Sequence, residues 1–210
     1  YFFDINFRRG SNWYKRFFPS KWKKFQINKI QKKEFLTGEA TPHYISYLHA
    51  PKRVFNLIPN VKLIVILRNP VERAYSQYQS RVAAGNEPLS FVDAIKEESN
   101  RLDDELKKMN ENEDYIHNNF FRYSYLHHGI YVDGLKNWMN IFPKEQFLII
   151  NANEFYQNPK NVFLSAHKFL DIPRYDSNDY THYNLGKYKE MDVKIKKELQ
   201  DFFKPHNEEL

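Results

Sequence analysis

Apolar and polar residues along this chain alternate between two periods, one of strands and one of helices. Val61, Lys62, Leu63, Ile64, Val65, Ile66 and Leu67 form a nearly continuous β-branched run between Pro59-Asn60 and Asn69-Pro70. That is the pattern of a strand buried on both faces of a parallel sheet. Directly after it, Asn69 suits a helix cap, Pro70 the first helical position and Glu72 the acid of a capping box, so a helix is expected to start there. Val71, Ala74, Tyr75, Tyr78 and Val82 then share one helical face, which leaves Arg73, Ser76 and Ser80 on another. Upstream, residues 34–39 read as a shorter strand, and 45–57 as a helix with Pro51 in an early turn or break. Downstream, Ser90 and Asp93 open a charged helix over 90–109, and helices at 129–142 and 159–170 flank a strand at 146–151. Asn158-Pro159 repeats the cap-then-proline device, and a final helix is expected over 191–203. The segment 110–128, rich in Asn, Tyr, Phe and His, is the least regular and is expected to be a substrate-facing loop. Strands alternating with helices predict an α/β domain with a mostly parallel sheet flanked by helices in three layers.

Composition narrows the class without changing this picture. The 210 residues are 41% hydrophobic and 17% aromatic, enough for one core, and no repeat or low-complexity linker divides them. Cysteine is absent, which removes disulfides, thiolate metal sites and a cysteine nucleophile. No apolar run approaches the roughly 18 residues of a spanning helix. A net charge of +6 favours anionic ligands but falls short of the concentrated basicity of a nucleic-acid coat. The adjacent His127 and His128, with His117, lack carboxylates at ligand spacing, so no metal site is expected. Trp13 and Trp138 are read as packing groups rather than base-stacking platforms.

In an open parallel sheet, ligands bind outside the carboxyl ends of the strands, and Arg68 occupies that place. A forked, permanently charged guanidinium beside orphan N–H groups of a helix start suits a phosphate or sulfate. Ser76, eight residues on, adds a hydroxyl if Arg68 folds back along the helix. The alternative is that Arg68 pairs with a carboxylate and Ser76 is a solvated helix position.

Leu67-Arg68-Asn69-Pro70-Val71-Glu72-Arg73-Ala74-Tyr75-Ser76-Gln77-Tyr78, following a buried strand, resembles the 3′-phosphate-binding motif of sulfotransferases that use 3′-phosphoadenosine 5′-phosphosulfate (PAPS). It is most similar to the heparan sulfate type and its bacterial relatives. Three further stretches agree in order: Tyr1-Phe2-Phe3-Asp4 with Gly10, Trp13-Tyr14 and Phe18-Pro19; Gly38-Glu39-Ala40-Thr41-Pro42-His43-Tyr44; and Tyr188-Lys189-Glu190-Met191 followed by Pro205 to Leu210. The resemblance implies a P-loop NTPase-like sulfotransferase fold, PAPS as donor and 3′-phosphoadenosine 5′-phosphate (PAP) as product, with no metal. Arg68 and Ser76 fall on the pair that grips the 3′-phosphate. Gly186 and Lys187 resemble the late loop that closes over the cofactor, although the family's Lys-Gly-Arg form is not kept. Asp4 matches an acid near the acceptor in 3-O-sulfating members, and equally suits a turn after a strand. Glu39 matches an acid of the acceptor-side motif, but Ala40 replaces the lysine that follows it in heparan sulfate enzymes.

The resemblance also implies a Lys-x-Gly-Thr phosphosulfate loop and a general-base glutamate upstream of Phe2. Residues 1–210 are therefore expected to be one sulfotransferase domain, N-terminally incomplete and lacking the first strand. The expected reaction is sulfuryl transfer to a hydroxyl or amine of a carbohydrate or small metabolite. A catalytically silent nucleotide- or glycan-binding module and a P-loop nucleotide kinase are the alternatives. Lys21, Lys23, Lys24, Lys29, Lys32 and Lys33 form a solvated cluster that could instead guide an acidic acceptor. The compartment implied is the cytoplasm for a bacterial protein and the Golgi lumen for an animal relative.

Overall fold

A computed structural model describes residues 1–30, 35–176, 179–181 and 188–210. Two short helices, α1 (Gly10–Lys15) and α2 (Lys21–Phe25), precede α3 (Ala50–Leu57), which is followed by β1 (Leu63–Leu67) and α4 (Pro70–Ala83). Next come α5 (Phe91–Lys96), α6 (Glu98–Glu111), α7 (Asn118–Tyr123) and α8 (Tyr131–Met139). Strand β2 (Phe147–Asn151) leads into α9 (Ala152–Gln157), α10 (Pro159–Leu170) and α11 (Val193–Glu208). The strands pair in parallel, from Leu63 opposite Phe147 to Leu67 opposite Asn151. This is an α/β arrangement with a parallel sheet and flanking helices. Among the described residues no helix is long and apolar enough to cross a membrane.

Three expectations are corrected. Phe35–Glu39 carries no regular structure, because among the described residues no strand pairs with it to take its backbone donors and acceptors, and a lone strand has no ladder. Strand β1 is not buried on both faces: Ile64 is 40% exposed and Ile66 52%. The sheet has two strands among the described residues, too few to enclose a β-branched run of this kind. The helix expected over 90–109 is broken at Glu97, separating α5 from α6. The break comes just where Glu98 turns inward, with its carboxylate accepting the N–H groups of Leu126 and His127 at 2.7 and 2.8 Å.

Apolar side chains gather into two clusters. The larger joins Phe2, Phe3 and Tyr14 to Tyr47, Val54, Leu102, Phe120, Trp138 and Phe142. The smaller packs Val71 and Ala74 of α4 against Phe91, Tyr125, Leu199 and Phe203. Of the face of α4 expected from its periodicity, Val71 and Ala74 are buried and Tyr75 and Tyr78 pack against the cluster, while Val82 near the helix end is 40% exposed. Segment 110–128 is not an open loop: His117, Phe120, Ser124 and Tyr125 are fully buried, and α7 packs on α6. A single-residue period could not reveal this, because the segment's contacts are with distant helices.

Two charged contacts, one on the buried Arg53 and one on the buried Glu87, hold chain crossings that hydrophobic contact alone would leave loose. Arg53 donates to the carbonyls of Phe3 and Asp4, both at 3.0 Å, and to that of Glu113. Its guanidinium also lies 4.4 Å from the centroid of the Phe7 ring, so the N-terminal turn is pinned to α3. Arg101 forks onto Glu87 at 2.6 and 3.1 Å, and Glu87 also accepts from the Tyr125 hydroxyl and the Leu89 N–H. Burial pushes the Glu87 carboxyl up, but these donors outweigh it and hold the group below the usual carboxylate range.

Candidate functional site

The β1–α4 turn is built from local rules. Strand β1 delivers Arg68 to its carboxyl end, and Asn69 caps the helix, its Oδ1 accepting the N–H groups of Val71 and Glu72 at 3.0 and 3.3 Å. Pro70 follows in the first turn. Removing this cap by Asn69→Ala is expected to lower the free energy of unfolding by about 1 kcal/mol in urea titrations. The cap changes the expected anion chemistry. Val71 and Glu72 spend their N–H groups on Asn69, and the Arg73 N–H donates to the Asn69 carbonyl at 2.9 Å. What the turn offers an anion is therefore the guanidinium and the helix dipole, not a row of orphan donors.

Arg68 is turned to solvent rather than into the interior. Its side chain is 34% exposed, and Nε donates to Glu72 Oε2 at 3.4 Å. This is the carboxylate pairing weighed as the alternative, but it is an exposed i,i+4 contact of the kind worth a few tenths of a kcal/mol. A dianion presented to the fork can displace it. Ser76 is half-buried, two turns along the same helix. Gly186 and Lys187 lie outside the described residues.

Asp4 and Glu39 are brought to one neighbourhood by the N-terminal strap. The Tyr44 hydroxyl accepts from the N–H groups of Phe2 and Phe3 at 2.7 and 3.1 Å, and the terminal amine donates to Thr41 Oγ1 at 2.8 Å. Asp4 is 4% exposed; Oδ1 accepts the Ile5 N–H at 2.7 Å while Oδ2 has no hydrogen-bond partner among the described residues. Burial pushes the Asp4 carboxyl up, and the nearby Glu39 charge adds to this, against the Ile5 N–H and the terminal amine. The Tyr14 hydroxyl faces Glu39, and burial raises the pKa of that phenol.

Sequence reasoning missed the layer beneath the turn. Arg73, expected on a polar face, is half-buried: it donates to Gln77 Oε1 at 2.7 Å and to the Tyr125 carbonyl, while its buried Nε has no hydrogen-bond partner among the described residues. Burial, set against the charge of Glu98, lowers its pKa. Tyr131, at the start of α8, donates its hydroxyl to the Arg68 carbonyl at 2.9 Å. No motif signals either contact, because each is made to a residue more than 50 positions away.

The histidines noted in the sequence lie close together, His117 and His128 buried and His127 half-buried, with the half-buried His43 beside them. The rings of His43 and His128 are 5.5 Å apart, and His117 lies 4.4 Å from Phe121 and 4.5 Å from Tyr47. Among the described residues no group of three or more His, Cys, Asp and Glu is arranged to hold a metal ion. Two cavities of about 200 and 210 Å³ lie elsewhere, the second between α6 and α8 beside Ser46, His127 and Asp133.

A partly exposed arginine at the carboxyl end of a parallel strand, next to a capped helix, defines an α/β protein with a cationic turn at the mouth of its sheet. Comparison with known proteins gives the class its family. The sulfotransferase domain family model matches residues 8–209, so the chain belongs to that family. It is 26% identical over its whole length to the Dictyostelium discoideum membrane-associated sulfotransferase kil1, of which it covers 57%. With the human bifunctional heparan sulfate N-deacetylase/N-sulfotransferase 3 it shares 28% identity over 98% of this chain and 24% of that protein. With the mouse heparan sulfate glucosamine 3-O-sulfotransferase 6 the identity is 27% over 89% of this chain and 47% of that protein. A crystal structure of a sulfotransferase from Alicyclobacillus acidocaldarius superposes with a TM-score of 0.66 at 29% identity, covering 82% of this chain and 62% of that one. The chain thus spans little more than half the length of the first of these relatives, and less of the other curated ones.

Proposed function

We propose that this chain carries the 3′-phosphate-binding part of a PAPS-dependent sulfotransferase that sulfates a hydroxyl or amine of a carbohydrate or small metabolite. The observation that carries the proposal is the one-third-exposed Arg68 at the end of β1, whose side chain is held among the described residues by a weak surface pair. The donor supplies an activated sulfuryl group. Transfer breaks the bond between sulfur and the bridging oxygen, forms one to the acceptor oxygen or nitrogen, and releases PAP and a proton. Residues of this chain contribute to the holding of that donor. Arg68 offers a fork to the 3′-phosphate, the helix dipole of α4 favours the same charge, and Ser76 adds a hydroxyl on the same helix.

The acids at the other end of the site fit the acceptor side. Asp4, with one carboxylate oxygen unpartnered, and Glu39 beside it supply acceptors for hydroxyl or amine protons. Gly186 and Lys187 are assigned to the closing loop on sequence alone. A glycan acceptor is supported by the heparan sulfate names of the relatives and by the exposed Lys21, Lys23, Lys24 and Lys29 around α2, a charge pattern suited to an acidic polymer. A silent binding module would keep the phosphate grip without turnover, and a kinase would not need the 3′-phosphate at all.

Calorimetric titration of the full-length protein with PAP beside AMP tests the proposal. PAP is expected to bind at least about tenfold more tightly, the smaller end of what a charged hydrogen-bonded contact contributes. Equal binding of the two nucleotides would exclude a 3′-phosphate site.

A further inference from the structure

Segment 125–131 touches the anion-binding turn at three successive levels. The Tyr125 carbonyl accepts from Arg73, Gly129 lies against Pro70, and the Tyr131 hydroxyl donates to the Arg68 carbonyl at 2.9 Å. The fit at Gly129 is close: a Cβ there would lie 3.1 Å from Pro70 Cβ and 2.7 Å from ring carbons of Phe203. The segment is itself held from α6, where Glu98 accepts the Leu126 and His127 N–H groups. Tyr131 is 9% exposed, and burial raises its pKa, so its proton stays on the oxygen and is available to donate.

The Arg68 carbonyl sits just before the helix cap, outside both the strand ladder and the α4 hydrogen bonds. Its direction sets the rotation of the peptide between Arg68 and Asn69, and with it the direction in which the Arg68 side chain leaves the backbone. Strand β1 orders the residue before and the Asn69 cap those after, and the Tyr131 hydroxyl adds a hold on the carbonyl between them. We infer that Tyr131 is a positioning residue for the nucleotide site: by holding the Arg68 carbonyl it aims the guanidinium at the 3′-phosphate. The inference rests on the proposal that Arg68 grips that phosphate. It concerns specificity for the 3′-phosphate rather than binding in general, since Tyr131 acts on the backbone of one residue.

The test is Tyr131→Phe in the full-length protein, with PAP and AMP affinities measured by calorimetry. The substitution keeps the buried ring and removes the donor. PAP affinity is expected to fall about three- to tenfold, the scale of one neutral hydrogen bond, with AMP affinity unchanged within about twofold. Loss of selectivity is the informative quantity, because a loosened fold would weaken both nucleotides alike. Unchanged PAP affinity, or equal losses for PAP and AMP, would overturn the inference. Arg68→Ala measured with the same two nucleotides separates the two failures. If that variant loses PAP affinity while Tyr131→Phe does not, the clamp stands without its positioning residue. If neither changes, the clamp is wrong as well.

Discussion

Arg68→Ala is expected to weaken PAP binding by about 10- to 150-fold while leaving the fold standing. The range follows from the roughly 1.5 to 3 kcal/mol that a hydrogen bond to a charged group contributes. The fold should survive because the side chain is one-third exposed and its only described partner, Glu72, is itself exposed. Losing such a pair costs a few tenths of a kcal/mol. Calorimetry with PAP, alongside a thermal melt, checks both halves. Binding retained within about threefold would refute the assignment of Arg68 to the phosphate. Glu72→Gln offers a control of opposite sign: freeing the guanidinium from its exposed partner should leave PAP binding unchanged or modestly stronger.

Acidification from pH 7 to pH 5 is expected to cost the folded state at least about 2 kcal/mol of stability. The cause is the buried imidazoles. Burial holds His43 and His117 down to about 4, with Arg81 and Arg73 adding at His43 and Arg53 at His117. His128 is held well below its ordinary value by burial, then by Arg73 and the neighbouring histidines, and burial also lowers His127, against the charge of Asp133. For each of these bases the unfolded chain takes up its proton first. Stability is therefore complete above about pH 6.5 and is lost as the pH falls towards the folded-state value, by up to about 1.4 kcal/mol per pH unit per imidazole.

Two carboxyls act in the opposite direction. Glu98 is raised to about 6 by burial, despite the Leu126 and His127 N–H groups, and Asp4 is raised as well. Their proton uptake favours the folded state as pH falls, but they are fewer than the histidines. Glu87, held low, matters only below the ordinary carboxylate range. Urea unfolding at pH 7 and pH 5 measures the net effect. Equal or greater stability at pH 5 would show that the imidazoles are not buried neutral.

The polarity of the histidine site explains why this effect was hidden in the sequence. The spacing of His117, His127 and His128 argues against a metal site but says nothing about their burial. Burial is decided by Phe120, Phe121 and Tyr47, which close over the rings from α7 and from the segment before α3. The unpartnered nitrogens of His117 and His128 follow from that enclosure. The half-buried Arg73 depends partly on such a distant contact: the Tyr125 carbonyl, 52 residues away, takes one donor, and Gln77, one turn on in the same helix, takes another.

Local rules were enough wherever the deciding partners are within a few residues. The strand at 63–67, the Asn69 cap, the Pro70 start and the helix over Pro159–Leu170 all come from such rules. Even here the limits show. Asn158-Pro159 repeats the pattern of Asn69-Pro70, yet only Asn69 makes the side-chain cap, because capping depends on the backbone angle at which the chain arrives. The motif around Arg68 could likewise be read directly, since an arginine between a strand and a helix needs no distant residue to reach the mouth of the sheet.

Folding alone decided which long-range contacts hold that arginine and how its surroundings are charged. The pairing of β1 with β2 joins segments more than 80 residues apart, and the hydroxyl of Tyr131 reaches the Arg68 carbonyl across 63. The inward turn of Glu98 breaks a helix that its own periodicity would have continued. Such contacts carry no local period, since each depends on desolvating a polar group and supplying a partner from another element. Only the packed chain brings those two conditions together.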